Sequence, residues 1–292
     1  MTTTLQQEKQ ALRGVEHVAQ SQVAPVGTFT VRRALPFRER NSVGPWVFLD
    51  HFGPFRVKPG EDGVGAHPHA GIETVTYLLS GRNEHRDSAG HTGIVAAGGA
   101  QWMTAGRGIV HAERPLAESE DEFTMHGIQL WTSLPRALKL MEPRYQRIEA
   151  EAIREVVRDG ATVRVIAGEF DTVRGPASTL MPTLLWHVRV DAGATFEAAI
   201  PSGYEAAVYV IGGAAVVGAD SRVATGQLAV LAGGEGLLRV ENAGGGPLDV
   251  MVLGGAPAEG PLVFHGPFVM NSVDQVRAAE IAFRTGRMGE LD

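Results

Sequence analysis

Apolar and polar positions alternate with a period of two along most of this chain, the pattern of half-buried β-strands. Residues 26–35 alternate around a Thr-Phe-Thr-Val centre, and Pro45 to Leu49 is a short apolar run closed by Asp50-His51-Phe52-Gly53-Pro54. Strands are also predicted over residues 73–79, 84–88, 92–95, 101–103 and 123–132, with glycine-bearing turns between several of them. Short strands at this spacing predict a sandwich or small barrel. From Arg136 to Pro143 the composition is that of a linker. The strand rhythm then resumes, with one or two helical turns over 150–156 and strands over 162–167, 184–190, 206–211 and 227–231. Ser272 is placed to cap a helix running to Phe283, with Val276, Ala279, Ile281 and Phe283 near one side. The expected architecture is all-β: two barrels in tandem, residues 1–140 and 141–292, with short helices including one at the C-terminus. At the other end Leu5, Leu12 and Val15 are too sparse to choose between a short helix and a loose arm.

Composition narrows the picture. A length of 292 residues exceeds what one core usually fills, which agrees with two domains. Hydrophobic residues make up 44% and charged residues 20%, so disorder is not favoured. The absence of cysteine removes disulfides, zinc–thiolate sites and thiol nucleophiles together, so any metal must be held by His and carboxylate. A net charge of −7 without a Lys/Arg cluster disfavours direct nucleic-acid binding. The N-terminus lacks the apolar core of a secretory signal, and no uncharged apolar stretch is long enough to cross a bilayer. The cytoplasm is therefore the expected location, with no membrane partner.

Chemistry concentrates in two short motifs, His67-Pro68-His69 and His111-Ala112-Glu113. Residues two apart on a strand share a face, so each motif presents a pair of ligands on one side. Pro68 cannot donate to a sheet ladder, which puts the first motif at a strand start or edge. If the two strands are neighbours, three imidazoles and a carboxylate converge. That donor set suits iron, manganese, nickel, copper or zinc better than calcium or magnesium. A lone strand His is more often a hydrogen-bonded core or surface residue, but two pairs, each behind its own glycine loop, point to a metal. His126 shares parity with Ile128 and Leu130 and reads as a packed, hydrogen-bonded core residue, whereas Gln129 shares parity with Met125 and Trp131; one of these faces borders the cavity. His51, His85 and His91 fall in predicted turns or loop edges and read as surface residues. His187 and His265 have no partner at ligand spacing, so no second metal is expected. The charged cluster Glu118 to Glu122 reads as a solvated loop at the barrel rim.

The runs HPHAGIETVTYLLSG, HRDSAGHTG, QWMTAGRGIVHAE and QLWTSLP, together with HGPFVMNS at 265–272, resemble the pirin family, a two-barrel group of the cupin superfamily, across about residues 26–290. The resemblance implies a single iron in the first barrel, Fe(II) being the expected form, held by His67, His69, His111 and Glu113. In the general cupin pattern the carboxylate ligand would be Glu73; pirins take it from the second motif, which leaves Glu73 a supporting or structural residue. Gly60, Gly81 and Gly106 also depart from the general pattern, weakening any tie to oxalate- or germin-type cupins.

Some pirins are similar to quercetin 2,3-dioxygenase, which opens a flavonol ring with O₂ and releases carbon monoxide. Four protein ligands on an octahedral ion leave about two positions, enough for a substrate oxygen and for O₂ or water. Glu113, if it can loosen from the metal, is then the natural general base for the flavonol hydroxyl. The expected partners are thus a small aromatic substrate such as a flavonol, and O₂. The alternative is a non-enzymatic, iron-dependent redox sensor with a protein partner, a transcription factor or metabolic enzyme; a third possibility is a former enzyme whose metal only stabilises the fold. Fold and ligands do not fix chemistry. A wide-open mouth over the site favours catalysis, and a plugged barrel favours a sensor.

Overall fold

The two-residue period produces the same pair of sheets twice. In the computed structural model, which describes residues 11–291, the front half has a seven-stranded antiparallel sheet. Its order is Arg144–Ile148, Ala100–Thr104, Ile72–Ser80, Phe123–Ser133, Trp46–Val57, Phe29–Leu35 and Gln22–Val26. A four-stranded sheet accompanies it, in the order Val64–His69, Ile109–Pro115, Arg82–Asp87 and Thr92–Ala96. The rear half repeats seven plus four. Its large sheet runs Val15–Gln20, Gln227–Leu231, Glu205–Gly212, Leu248–Gly255, Thr183–Val190, Ala161–Ala167 and Glu155–Arg158, and its small sheet runs Thr195–Ala199, Leu237–Asn242, Ala214–Val217 and Ser221–Ala224. The molecule is all-β in two tandem barrels, as expected.

The front large sheet is buried on both faces, so alternation sorts residues between two different interiors. Val75 and Tyr77 join Trp46, Trp102, Leu130, Tyr209 and Leu253 in an apolar layer between the barrels. Thr76, Met125, Gln129 and Trp131, of the opposite parity, line a cavity inside the front barrel. The rear barrel has no such division of labour: its interior is a continuous apolar core including Trp186, Phe170, Phe196, Val208 and Val250. Burial of aliphatic side chains of this kind contributes roughly 1.5–3 kcal/mol each.

The ends of the chain cross between the halves. Val15–Gln20 pairs with Gln227–Leu231 in the rear barrel, and Arg144–Ile148 pairs with Ala100–Thr104 in the front one. One outermost strand of each large sheet therefore comes from the other side of residue 140. The tail returns as well: Phe268, Met270, Val276, Ala279 and Met288 pack against Ala70 and Val110 of the front barrel.

Several local expectations differ from what forms. Residues 26–35 hold a turn at Gly27-Thr28 between two paired strands rather than one strand. Over 150–156 there is a single 3₁₀ turn, Ala150–Ala152, followed by the strand Glu155–Arg158. The β-branched Val156 and Val157 favour extension, and the hairpin that follows turns at Gly160, whose φ of 72° suits glycine. The C-terminal helix is Val273–Arg284, capped by Ser272, which accepts from the Gln275 amide. Val276 and Ala279 are its buried residues, while Ile281 and Phe283 are exposed, because the helix rests on the barrel surface by a narrow stripe. Leu5 lies outside the described residues; Val15 opens a strand. Among the described residues no helix is long and apolar enough to cross a membrane.

The segment that read as a linker holds a fully buried amine. Lys139 Nζ donates to Gly71 O, Ser133 Oγ and Val269 O, each at 2.8 Å, clamping the returning tail to the front barrel. Burial pulls its pKa down to about 7, and the three oxygens give the ammonium a full set of acceptors. Lys139→Met strands these acceptors without a donor, and a loss of about 2–4 kcal/mol is expected from the cost of unmet buried hydrogen bonds. Urea denaturation measures this directly; an unchanged midpoint would show that the clamp contributes nothing.

Candidate metal centre

The strands Val64–His69 and Ile109–Pro115 are antiparallel neighbours, with His111 opposite His67 and Ile109 opposite His69. The three rings gather accordingly. Their centroids are 4.3 Å apart for His67 and His111, 4.9 Å for His67 and His69, and 5.0 Å for His69 and His111. One nitrogen from each lies within 4.8 Å of the others, a group that could hold a metal ion.

Each ring engages Nδ1 away from this cluster. His67 Nδ1 is 2.8 Å from Gly65 O, His69 Nδ1 is 3.1 Å from Pro267 O, and His111 Nδ1 is 3.4 Å from His85 Nδ1. Nε2 of each ring is left for a ligand, and His111 Nε2 is buried with no hydrogen-bond partner. Burial, helped by the neighbouring imidazoles, lowers His69 to about 3 and His111 well below the ordinary value for histidine. Neutral imidazoles whose outer N–H is anchored are the form in which histidine binds a metal. A divalent ion fits this donor set.

Glu113 sits two residues beyond His111, past an irregularity that pairs it with Val64. A Cβ at Gly63 would overlap the Glu113 carbonyl, so glycine is what permits this close approach. The Glu113 side chain groups with His111 and His85 rather than with all three clustered rings. Its Oε1 accepts from Gln101 Nε2, with Thr76 Oγ1 at 3.0 Å and Asn83 Nδ2 at 3.4 Å. Glu73, by contrast, has the parity of Val75 and Tyr77 and points away from the cluster. It is buried, accepts from Thr104 Oγ1 at 2.8 Å and Thr132 Oγ1 at 3.1 Å, and its carboxyl is raised chiefly by burial.

Beside the cluster opens a cavity of about 150 Å³, bordered by His67, His69, His111 and Glu113. Its walls are mainly apolar and aromatic. Phe48 and Trp131 stack at 4.0 Å and 11°, and Trp131 meets His69 edge-on at 4.9 Å. A charged pair borders the same space: Arg33 binds Asp50 through two bonds of 2.8 and 2.7 Å and lies over the Phe48 ring.

Two histidines expected at the surface are buried. His51 is inside the strand Trp46–Val57, which continues through Gly53-Pro54 instead of ending there; its Nδ1 is 3.0 Å from Tyr209 OH of the rear barrel. His85 is fully enclosed on Arg82–Asp87, 3.1 Å from Asp87 and stacked on Tyr145. His51 lies in a strand longer than its apolar residues reveal, and His85 lies in an expected strand whose buried face is polar. His126 is hydrogen-bonded to His51 at 2.7 Å, away from the cavity, which the Met125, Gln129 and Trp131 face borders instead. His91 is partly exposed beside Asp87, His187 Nδ1 is 3.0 Å from Tyr77 OH, and His265 pairs with Glu280. Both candidate metal groups among the described residues belong to the front barrel. In the matching strands of the rear barrel Phe196, Ala198, Leu238 and Val240 are buried in the core.

Patterning by apolar residues missed Thr76, Asn83, His85, Asp87 and Gln101. The signal for three of them was present as a polar alternation, Asn83, His85 and Asp87, on a strand whose buried face carries almost no hydrocarbon.

This fold and this imidazole cluster define a two-barrel cupin. A sequence profile for pirin matches residues 28–132, and one for the pirin C-terminal cupin domain matches residues 185–289. The chain belongs to the pirin family. It is 38% identical to human pirin over 263 residues, 89% of this chain and 88% of that one. Against a pirin-like protein of Caulobacter vibrioides it is 37% identical, covering 87% and 91%. The crystal structure of quercetin 2,3-dioxygenase from Acinetobacter baumannii superposes with a TM-score of 0.90 at 32% identity, over 97% of this chain and all of the other.

Truncating the central ring tests the cluster. His111→Ala is expected to abolish stoichiometric binding of a divalent ion, measured by elemental analysis of protein purified without chelating resin, while circular dichroism stays unchanged. Full metal content in that variant would place the ion elsewhere.

Proposed function

We propose that this pirin is a metal-dependent dioxygenase that opens the ring of quercetin or a related flavonol with O₂ and releases carbon monoxide, with Fe(II) held by His67, His69, His111 and Glu113. The observation that carries this reading is the open aromatic cavity directly beside three uncommitted imidazole nitrogens. The Acinetobacter baumannii protein of the same fold, named as a quercetin 2,3-dioxygenase, supports the same substrate class. A redox sensor needs the ligands but not an aromatic-lined cavity beside them, so the lining supports catalysis over regulation. Small molecules met in the cytoplasm are the partners this reading requires.

The chain's own residues supply three effects. The Phe48–Trp131 wall holds a planar ring by stacking, and the apolar lining keeps water from the reacting centre. Glu113 is held through Oε1, so Oε2 is the oxygen that would bind the ion and, once loosened from it, would take the proton of the flavonol hydroxyl. The hydrogen bonds from Thr76, Asn83 and Gln101 keep that carboxylate aimed while it works. A bound iron would supply the Lewis acidity that stabilises the substrate oxyanion and the electron path to O₂.

Iron-loaded protein in an oxygen electrode, with a panel of flavonols and detection of carbon monoxide, checks the reading. Oxygen uptake matched by carbon monoxide is expected from at least one flavonol, and Glu113→Gln should lower kcat about 10²–10⁴-fold at equal metal content. No uptake with any flavonol by fully loaded protein would refute the assignment.

A further inference from the structure

On the far side of His111 from the cavity, a buried carboxylate and a buried imidazole stand in line. Asp87 accepts at Oδ1 from the amides of Ala89 and His91, each at 3.0 Å, and its Oδ2 is 2.9 Å from His91 Nδ1 and 3.1 Å from His85 Nε2. An ionised carboxylate only accepts, so His85 Nε2 carries the hydrogen. In the neutral ring Nδ1 is then a bare acceptor. That atom faces His111 Nδ1 at 3.4 Å, at the long end for a hydrogen bond, so His111 holds its hydrogen on Nδ1 and leaves Nε2 bare. Nε2 is the buried atom of His111 that has no partner. Stacking on Tyr145, with centroids 4.5 Å apart and planes 13° from parallel, holds the His85 ring in the orientation this chain of bonds requires.

We propose that Asp87 and His85 are positioning residues: a carboxylate–imidazole relay that sets the tautomer of His111 and thereby presents Nε2, rather than Nδ1, to the ion. Their role presupposes the metal site proposed above. The relay lengthens by one imidazole the usual arrangement in which a carboxylate orients a metal-binding histidine, and loss of such a partner costs about 10–100-fold in metal affinity. It also assigns a function to a grouping that otherwise resembles a second metal site, since His85, His111 and Glu113 present ligand atoms within 4.8 Å of one another. With its Nε2 tied to Asp87, His85 has one lone pair to offer, and the nearest hydrogen that pair can meet is on His111.

The test reads tautomers and affinity separately. Two-bond ¹H–¹⁵N spectra of the full-length, histidine-labelled chain without metal should show His85 protonated at Nε2 and His111 at Nδ1. A His111 protonated at Nε2, or a doubly protonated His85, overturns the relay whether or not the protein binds an ion. Affinity for Zn(II), a diamagnetic probe, is then measured by chelator competition. Asp87→Asn keeps an oxygen for the turn amides but turns an N–H toward His85 Nε2, reversing the relay, and His85→Phe keeps the stack but removes the acceptor. Each should weaken Zn(II) binding about 10–100-fold. His85→Gln, whose amide oxygen can accept from His111 Nδ1, should recover most of the loss, which a packing defect would not. Binding as tight as the parent in His85→Phe sinks the proposal, as does a parent that takes two ions where His85→Phe takes one, because His85 would then be a ligand. A parent that binds no ion defeats the metal reading itself, and the tautomers still decide the relay.

Discussion

The centre depends on one register: His111 paired across an antiparallel ladder with His67. Side chains on a strand alternate faces, so a slip of one residue would turn His67 and His69 outward and leave His111 facing Pro68. The register is held at both ends of the pairing. Towards the C-terminal end of the second strand, the irregularity at Glu113 requires the bare backbone of Gly63. At the other end the Ile109 side chain is buried with Val47, Ile72 and Met103, which fixes which face of its strand points inward. The geometry of the imidazole cluster is therefore a by-product of ordinary strand packing.

Two barrels of the same seven-plus-four plan have diverged in what fills them. In the rear barrel Trp186, Phe170 and Phe196 pack edge to face or tilted at 5.2 and 5.7 Å, and the interior closes. In the front barrel the inward positions of the long central strands are Thr76, Met125, Gln129 and Trp131, a mixture of polar and aromatic groups that lines space instead of filling it. The apolar positions of those same strands are used on the opposite face, against the rear barrel. Closing one barrel and packing the other against it is what allows the front interior to remain open without loss of core.

Much of this was legible in the sequence, and the exceptions share a cause. His67 and His69 could be put on one face, and His111 with Glu113 on another, because strand periodicity acts locally; that the two strands are neighbours was implied only by the family resemblance. The pairing of Val15–Gln20 with Gln227–Leu231 could not be read, because no local pattern identifies a partner two hundred residues away. His51 was misjudged because its strand continues through Gly53-Pro54, and His85 because the buried face of its strand is polar, where hydrophobic alternation is silent. Spacing alone left open whether Glu73 or Glu113 stands beside the imidazoles. In the folded sheets Glu73 has the parity of Val75 and Tyr77, whereas Glu113 borders the cavity.

The crossing of the chain ends gives the rear half a hold on the front site. Pro267 O, carried by the returning tail, lies 3.1 Å from His69 Nδ1, and Lys139 binds Val269 O of the same tail and Gly71 O two residues beyond His69. One imidazole of the cluster is thus oriented by a segment that follows the whole second barrel in sequence. Between the barrels, the bonds from Tyr209 to His51 and from His187 to Tyr77 add polar ties to the apolar layer, with Tyr77 pushed up to about 12 by its burial. A cut near residue 140 would remove from the front barrel its edge strand Arg144–Ile148, the tail that covers Ala70 and Val110, and the carbonyl that orients His69. The rear half is for this reason a structural component of the cluster, through the edge strand and the returning tail.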